Sequence, residues 1–99
     1  MKILFVCRAN VARSQMAANL YNMLTKSNDA ESAGTHVHEN EGQFIGENGK
    51  AKFVIQVANE EGIDLTKFRR KQLTNNITKD FDKIIVMSRI RKKTTHFSA

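Results

Sequence analysis

Ile3-Leu4-Phe5-Val6-Cys7-Arg8-Ala9-Asn10-Val11-Ala12-Arg13-Ser14 is the stretch from which the fold is read. Its first four residues are an unbroken apolar run, the pattern of a short strand buried in a parallel sheet. From Ser14 to about Lys26 the apolar residues Met16, Ala17, Leu20, Met23 and Leu24 return at helical spacing. A helix is therefore expected to begin where the stretch ends. A strand that passes through a short loop into a helix aims backbone N–H groups at one point, with the positive end of the helix dipole behind them. That point is a natural seat for a tetrahedral anion. Cys7 opens the loop and Arg13 closes it, with five residues between them. The field that holds an anion also favours a thiolate. An arginine adds a planar fork that grips two oxygens of the anion.

Val6-Cys7-Arg8-Ala9-Asn10-Val11-Ala12-Arg13-Ser14 resembles the signature of the low-molecular-weight protein tyrosine phosphatases and of the arsenate reductases that share their fold. The shared features are the cysteine, the asparagine three residues on, and the closing arginine-serine pair. Arg13-Ser14-Gln15-Met16-Ala17 looks more like the arsenate reductases. Further echoes are Ser32-Ala33-Gly34-Thr35, Glu61-Gly62-Ile63-Asp64-Leu65-Thr66 and Ile84-Ile85-Val86-Met87-Ser88, so the likeness runs through nearly the whole chain. The resemblance implies a two-step hydrolysis in which the Cys7 thiolate attacks phosphorus and water then releases phosphate from a phosphocysteine. It implies catalytic roles for Cys7, Arg13 and Ser14. Oxyanion binding falls to the loop Arg8, Ala9, Asn10, Val11, Ala12 and Arg13, chiefly through its amides and the Arg13 side chain. Asn10 is expected to brace the loop, and Ser14 to donate a hydrogen bond to the Cys7 sulfur. Taken alone, a cysteine at a strand end reads as a small buried residue; Asn10, Arg13 and Ser14 at family spacing turn the reading to an anion site. Arg8 stays open between added charge at the entrance and a solvated loop residue.

Ninety-nine residues, 40% hydrophobic and 26% charged, suit one α/β domain over residues 1–99 with no disorder signature. No apolar run approaches a membrane span, and the apolar start is too short for a signal peptide. One cysteine excludes an intrachain disulfide and fits a reducing cytoplasm. The net charge of +6 gathers at Lys67, Arg69, Arg70 and Lys71 and again at Arg89, Arg91, Lys92 and Lys93. No aromatic residues interleave with these clusters as in a single-strand stacking platform. They read as solvated basic faces that attract an anionic substrate, and not as a nucleic-acid surface. His36, His38 and His96 lack i,i+4 spacing and cysteine neighbours, so they read as surface histidines with no metal site. No cofactor is implied.

The rest of the chain completes the pattern. Lys2 to Val6 is the first strand, Ala30 to Gly34 a second, and Phe81 to Met87 a third. His36 to Gly49 is a turn-rich loop. Ala51, Val54, Ile55 and Ala58 mark a second helix capped at Gly62, with Ile63 as its hydrophobic follower. Leu65 to Asn76 shows no periodicity, and a tail from Ser88 to Ala99 opens a third helix. This order implies a parallel sheet with helices on its faces. With the resemblance it gives a three-layer flavodoxin-like, phosphotyrosine-phosphatase-I-like sandwich, shortened at its C-terminus. Ligands of such sheets lie beyond the carboxyl ends of the strands, where Cys7 stands.

The family's phosphatases use an aspartate in an Asp-Pro segment as general acid. This sequence has no proline, and Asp29, Asp64, Asp80 and Asp82 stand outside that context. General-acid catalysis typically contributes about 10²–10⁴-fold, so a slow enzyme is expected, best with good leaving groups. A missing fourth strand and last helix would expose a sheet edge and favour a homodimer or another partner. Two other functions share the cradle: arsenate reduction by a single cysteine with an external thiol, and oxyanion binding without catalysis.

Overall fold

Strand β1 runs from Ile3 to Cys7 at the centre of a parallel sheet of order β2-β1-β3, in which β2 is Ala30–Gly34 and β3 is Lys83–Val86. A computed structural model of the chain describes residues 1–87. The tail expected to open a helix, and the basic cluster at Arg89–Lys93, lie outside the described residues. In register, Ile3 pairs with Ala30 and Lys83, and Cys7 faces Gly34 on β2. The sheet is small, parallel and α/β, as the apolar run before Cys7 foretells.

Alternation along β1 feeds both faces. Leu4 and Val6, fully buried, join Ala33 in a cluster covered by Leu73, Ile77 and Phe81. Ile77 belongs to the short helix α3, Asn75–Thr78, whose N-cap Thr74 side chain accepts from the Ile77 N–H. On the other face Phe5 meets Tyr21 of helix α1, Arg13–Thr25, at a centroid distance of 6.3 Å. Helix α2, Lys52–Glu60, packs with α1 around a second cluster of Val11, Ile45, Ala51, Ala58, Ile63 and Leu65. Gly62 ends α2 at φ 84°, a left-handed position. Its N–H bonds the Asn59 carbonyl and that of Ile63 the Ala58 carbonyl, the paired closure with an apolar follower that the sequence announces. Lys26 closes α1 the same way at φ 55°, without a glycine.

Three expectations change. The buried face of α1 is Ser14, Gln15 and Ala18, while Met23 and Leu24 of the expected apolar stripe are exposed. Polar residues occupy the inner face because hydrogen bonds to the first loop satisfy them there. The stretch from His36 to Gly49 carries 3₁₀ turns at His38–Asn40 and Ile45–Glu47 and sends Val37 and Ile45 into the core. The basic run at Lys67–Lys71 is not a uniformly solvated face. Arg69 stacks over the Phe44 ring at 4.2 Å, Arg70 is buried, and Lys71 pairs with Glu31 at 2.8 Å. Its backbone explains the burial: Phe44 and Arg69 bridge antiparallel, and Gln72 bridges parallel to Gly34.

Candidate active site

Residues 8–12 carry the chain from the end of β1 to the start of α1, and Asn10 sits at φ 55° within them. Asparagine tolerates this left-handed conformation better than most residues. The turn brings the Asn10 N–H back to Cys7 Sγ at 3.2 Å. Ser14, in the first turn of α1, places Oγ 3.0 Å from the same sulfur. That hydroxyl already accepts a bond from Asn10 Nδ2 at 2.8 Å, so its own proton is free to point at Sγ. Two donors thus converge on the sulfur, an arrangement that suits a thiolate. Ala12 precedes α1 without any side-chain cap. No side chain at that position takes up the first N–H groups of the helix, the feature that makes a helix N-terminus a seat for anions.

Asn10 is fully buried and ties four elements together. Nδ2 donates to Ser14 Oγ and to Ser32 Oγ on β2, at 2.8 and 2.9 Å. Oδ1 accepts from the Lys71 N–H at 2.8 Å and from Gln15 Nε2 at 3.1 Å. Gln15 also donates to the Arg69 carbonyl at 3.0 Å, which explains a glutamine on the inner face of α1. Gly34 lets β2 approach closely. A Cβ there would lie 2.8 Å from the Arg8 carbonyl oxygen, 2.8 Å from Val37 Cγ2 and 2.9 Å from Asn10 Cβ.

Above this floor lies a cavity of about 790 Å³. Cys7, Arg8, Ala9, Val11, Ala12 and Arg13 line one side. Asn40, Gln43, Glu47, Asn48, Gly49 and Lys50 line the other, with Arg70 also present. Cys7 is 3% exposed, a sulfur at the bottom of an open depression. Arg13 is exposed at the mouth, where Nη1 donates to the Met87 carbonyl at 2.5 Å. Cations outnumber carboxylates on these walls, so the cavity favours an anionic guest.

Of the residues singled out from the sequence, Cys7, Arg8, Ala9, Val11, Ala12 and Arg13 all line this cavity. Arg8 is exposed on its wall and not turned away from it. Asn10 and Ser14 lie beneath it as braces, and the Asn10 N–H bonds the sulfur. Arg70 escaped the reading of the sequence. It is 7% exposed, its Nε donates to the Ala9 carbonyl at 3.1 Å, and its Nη1 donates to Gln43 Oε1 at 2.8 Å. In a run of four nearby cations nothing marks which one is buried. Gln43 and Glu47, in a segment read as loop, left no signal either.

Residues 2–98 match the family model of low-molecular-weight phosphotyrosine protein phosphatases. A Klebsiella pneumoniae protein named as a low-molecular-weight protein-tyrosine phosphatase is 29% identical over 87 residues, which cover 88% of this chain and 56% of that protein. Wzb of Vibrio vulnificus, solved with benzylphosphonate, is 27% identical with a TM-score of 0.75, over 87% of this chain and 57% of that one. The low-molecular-weight protein tyrosine phosphatase of T. tengcongensis is 32% identical with a TM-score of 0.66, over 88% of this chain and 58% of that one. This chain therefore spans little more than half the length of these relatives.

Proposed function

Because the chain belongs to the low-molecular-weight phosphotyrosine protein phosphatase family, we propose that it hydrolyses phosphate monoesters through a phosphocysteine at Cys7. The observation that carries this reading is the pair of donors on Cys7 Sγ, from the Asn10 N–H and Ser14, at the floor of a cavity that Arg13 also lines. These two bonds hold the sulfur at the cavity as the candidate nucleophile. The phosphoryl group enters with its oxygens toward the loop amides and the start of α1. Positioning and charge stabilisation are the main catalytic demands of phosphoryl transfer, and such a cradle supplies both. Sulfur forms its bond to phosphorus as the ester oxygen leaves with the bonding pair. Water then attacks phosphorus, the P–S bond breaks, and phosphate departs with the thiolate restored.

Arg13 is assigned as the clamp on the equatorial oxygens. Its guanidinium already holds the Met87 carbonyl through Nη1, which fixes its plane at the mouth. Arg8 adds charge on the same wall. The decisive test is turnover of p-nitrophenyl phosphate by the wild type and by Cys7→Ser. Release that depends on Cys7 is expected; its absence removes the reading. The edge strand β3, with Ile84, Ile85 and Val86 exposed, supports pairing of two copies among the described residues. Sedimentation that shows only monomer over a wide concentration range would exclude that pairing.

A further inference from the structure

Arg70 stands far from the phosphate loop in sequence, yet it holds that loop. Its backbone pairs with the opposite wall of the cavity: the Gly42 N–H donates to the Arg70 carbonyl at 2.8 Å, and the Arg70 N–H donates to the Gln43 carbonyl at 2.9 Å. Of the charged side chains that line the cavity of Cys7 among the described residues, Arg8, Arg13, Glu47 and Lys50 are exposed and Arg70 is buried. A guanidinium taken out of water needs acceptors for its donors. Nη1 donates to Gln43 Oε1 at 2.8 Å, and Nε donates to the Ala9 carbonyl at 3.1 Å.

The bond to Ala9 reaches the nucleophile. The Ala9 carbonyl belongs to the same peptide unit as the Asn10 N–H, and that N–H donates to Cys7 Sγ at 3.2 Å. In a trans peptide the two groups point to opposite sides of one plane. A charged donor on the oxygen therefore fixes the plane whose far side serves the sulfur. It also draws electron density toward oxygen, which strengthens the N–H as a donor. A hydrogen bond donated to sulfur favours thiolate over thiol.

We propose that Arg70 is a positioning residue for Cys7: its guanidinium fixes and polarises the Ala9–Asn10 peptide and so favours the thiolate. The proposal deepens the phosphocysteine reading given above, in which that thiolate is the attacking group. Two other charged or titratable residues touch the loop through their backbone. The His36 N–H bonds the Arg8 carbonyl while its ring lies against Thr35 Oγ1, and the Lys71 N–H bonds Asn10 Oδ1 while its ammonium pairs with Glu31. Neither side chain bonds the Ala9–Asn10 peptide among the described residues.

The test follows iodoacetamide capture of Cys7 against pH in wild type, Arg70→Met, Arg70→Lys and Arg69→Met, each checked for folding by circular dichroism. Methionine replaces the stem and removes both side-chain bonds. Its midpoint should rise by about 0.3–2 pH units, the span from losing the polarisation of a charged bond to losing the bond itself. Lysine keeps the charge but brings one nitrogen where arginine brings two, so its midpoint should fall between. Arg69→Met removes an equal charge next door, from over the Phe44 ring, and should keep the wild-type midpoint. The rise should persist in about 1 M salt, where exposed charges are screened beyond about 3 Å. A wild-type midpoint in Arg70→Met, a rise that Arg69→Met matches, or one that salt abolishes overturns the relay. If Arg70→Met does not fold, Arg70→Lys decides, and a wild-type midpoint there overturns it. Capture needs no substrate, so wild type without Cys7-dependent turnover of p-nitrophenyl phosphate overturns the hydrolytic reading alone.

Discussion

Replacing Asn10 tests the architecture under the sulfur. In Asn10→Ala the Lys71 N–H loses its acceptor and Ser14 and Ser32 lose their donor, at a position with no solvent access. A buried donor left without a partner costs about 1–3 kcal/mol. Three further bonds are lost from groups that find partial substitutes, worth together about 1–2 kcal/mol at a net value well under 1 each. Alanine must also adopt φ 55°, a left-handed conformation that costs an L-residue about 1–2 kcal/mol. The sum is about 3–7 kcal/mol, against a total of about 5–15 kcal/mol for a domain of this size. Asn10→Gly removes the conformational part and keeps the rest. Asn10→Asp keeps the acceptor for Lys71 and Gln15 but loses both donors. Urea unfolding with a shared slope should rank the variants Asn, then Asp and Gly, then Ala. Iodoacetamide capture of Cys7 in the folded proteins should slow in all three as Ser14 is released. A loss below about 1 kcal/mol in Asn10→Ala, less than one stranded donor, would refute the role given to this side chain.

Three further outcomes follow from the same geometry. Arg13→Lys should weaken phosphate binding about tenfold or more, since an ammonium cannot reproduce a bidentate fork; unchanged affinity by calorimetry contradicts the clamp. Gly34→Ala should cost about 1–3 kcal/mol, the range for forcing extra volume into a packed site. It should also lower phosphate affinity, because the atoms met first are Arg8 O, Val37 Cγ2 and Asn10 Cβ; wild-type stability by urea unfolding would count against that contact. The Asp64 carboxyl is held below its ordinary value of 3.8 by the Thr66 hydroxyl and then the Thr66 N–H. A depressed carboxyl stabilises the fold above its unfolded value and stops doing so as pH falls through the folded one. The stability gap between wild type and Asp64→Asn should therefore shrink as pH falls below about 4, and a gap that stays constant on acidification would contradict it.

The sheet and the loop were legible because their signals are local. Ile3-Leu4-Phe5-Val6 reads as a buried strand from its own composition, and Gly62-Ile63 announces a helix end through backbone freedom and one apolar contact. The inner face of α1 was not legible. Its buried polar residues bond Asn10 in the preceding loop and, through Gln15, the distant Arg69 carbonyl, contacts that helical periodicity does not announce. Arg70 illustrates the same limit. Its charge suggests water, and only the pairing of residues 42–44 with 68–70 shows why it is buried. Glu47 lies in a stretch without periodicity, where composition cannot say which side chain faces a cavity.

The contact between Arg13 Nη1 and the Met87 carbonyl joins the mouth of the site to the margin of the sheet. Met87 in turn donates its N–H to the Val6 carbonyl at 2.6 Å, one residue before the nucleophile. Grip and margin are therefore mechanically one unit. Fraying at the end of β3 would loosen the guanidinium, and an anion that recruits the guanidinium would release or stiffen that end. Whatever seals the outer rim of this sheet also sets how firmly Arg13 is held at the mouth of the cavity.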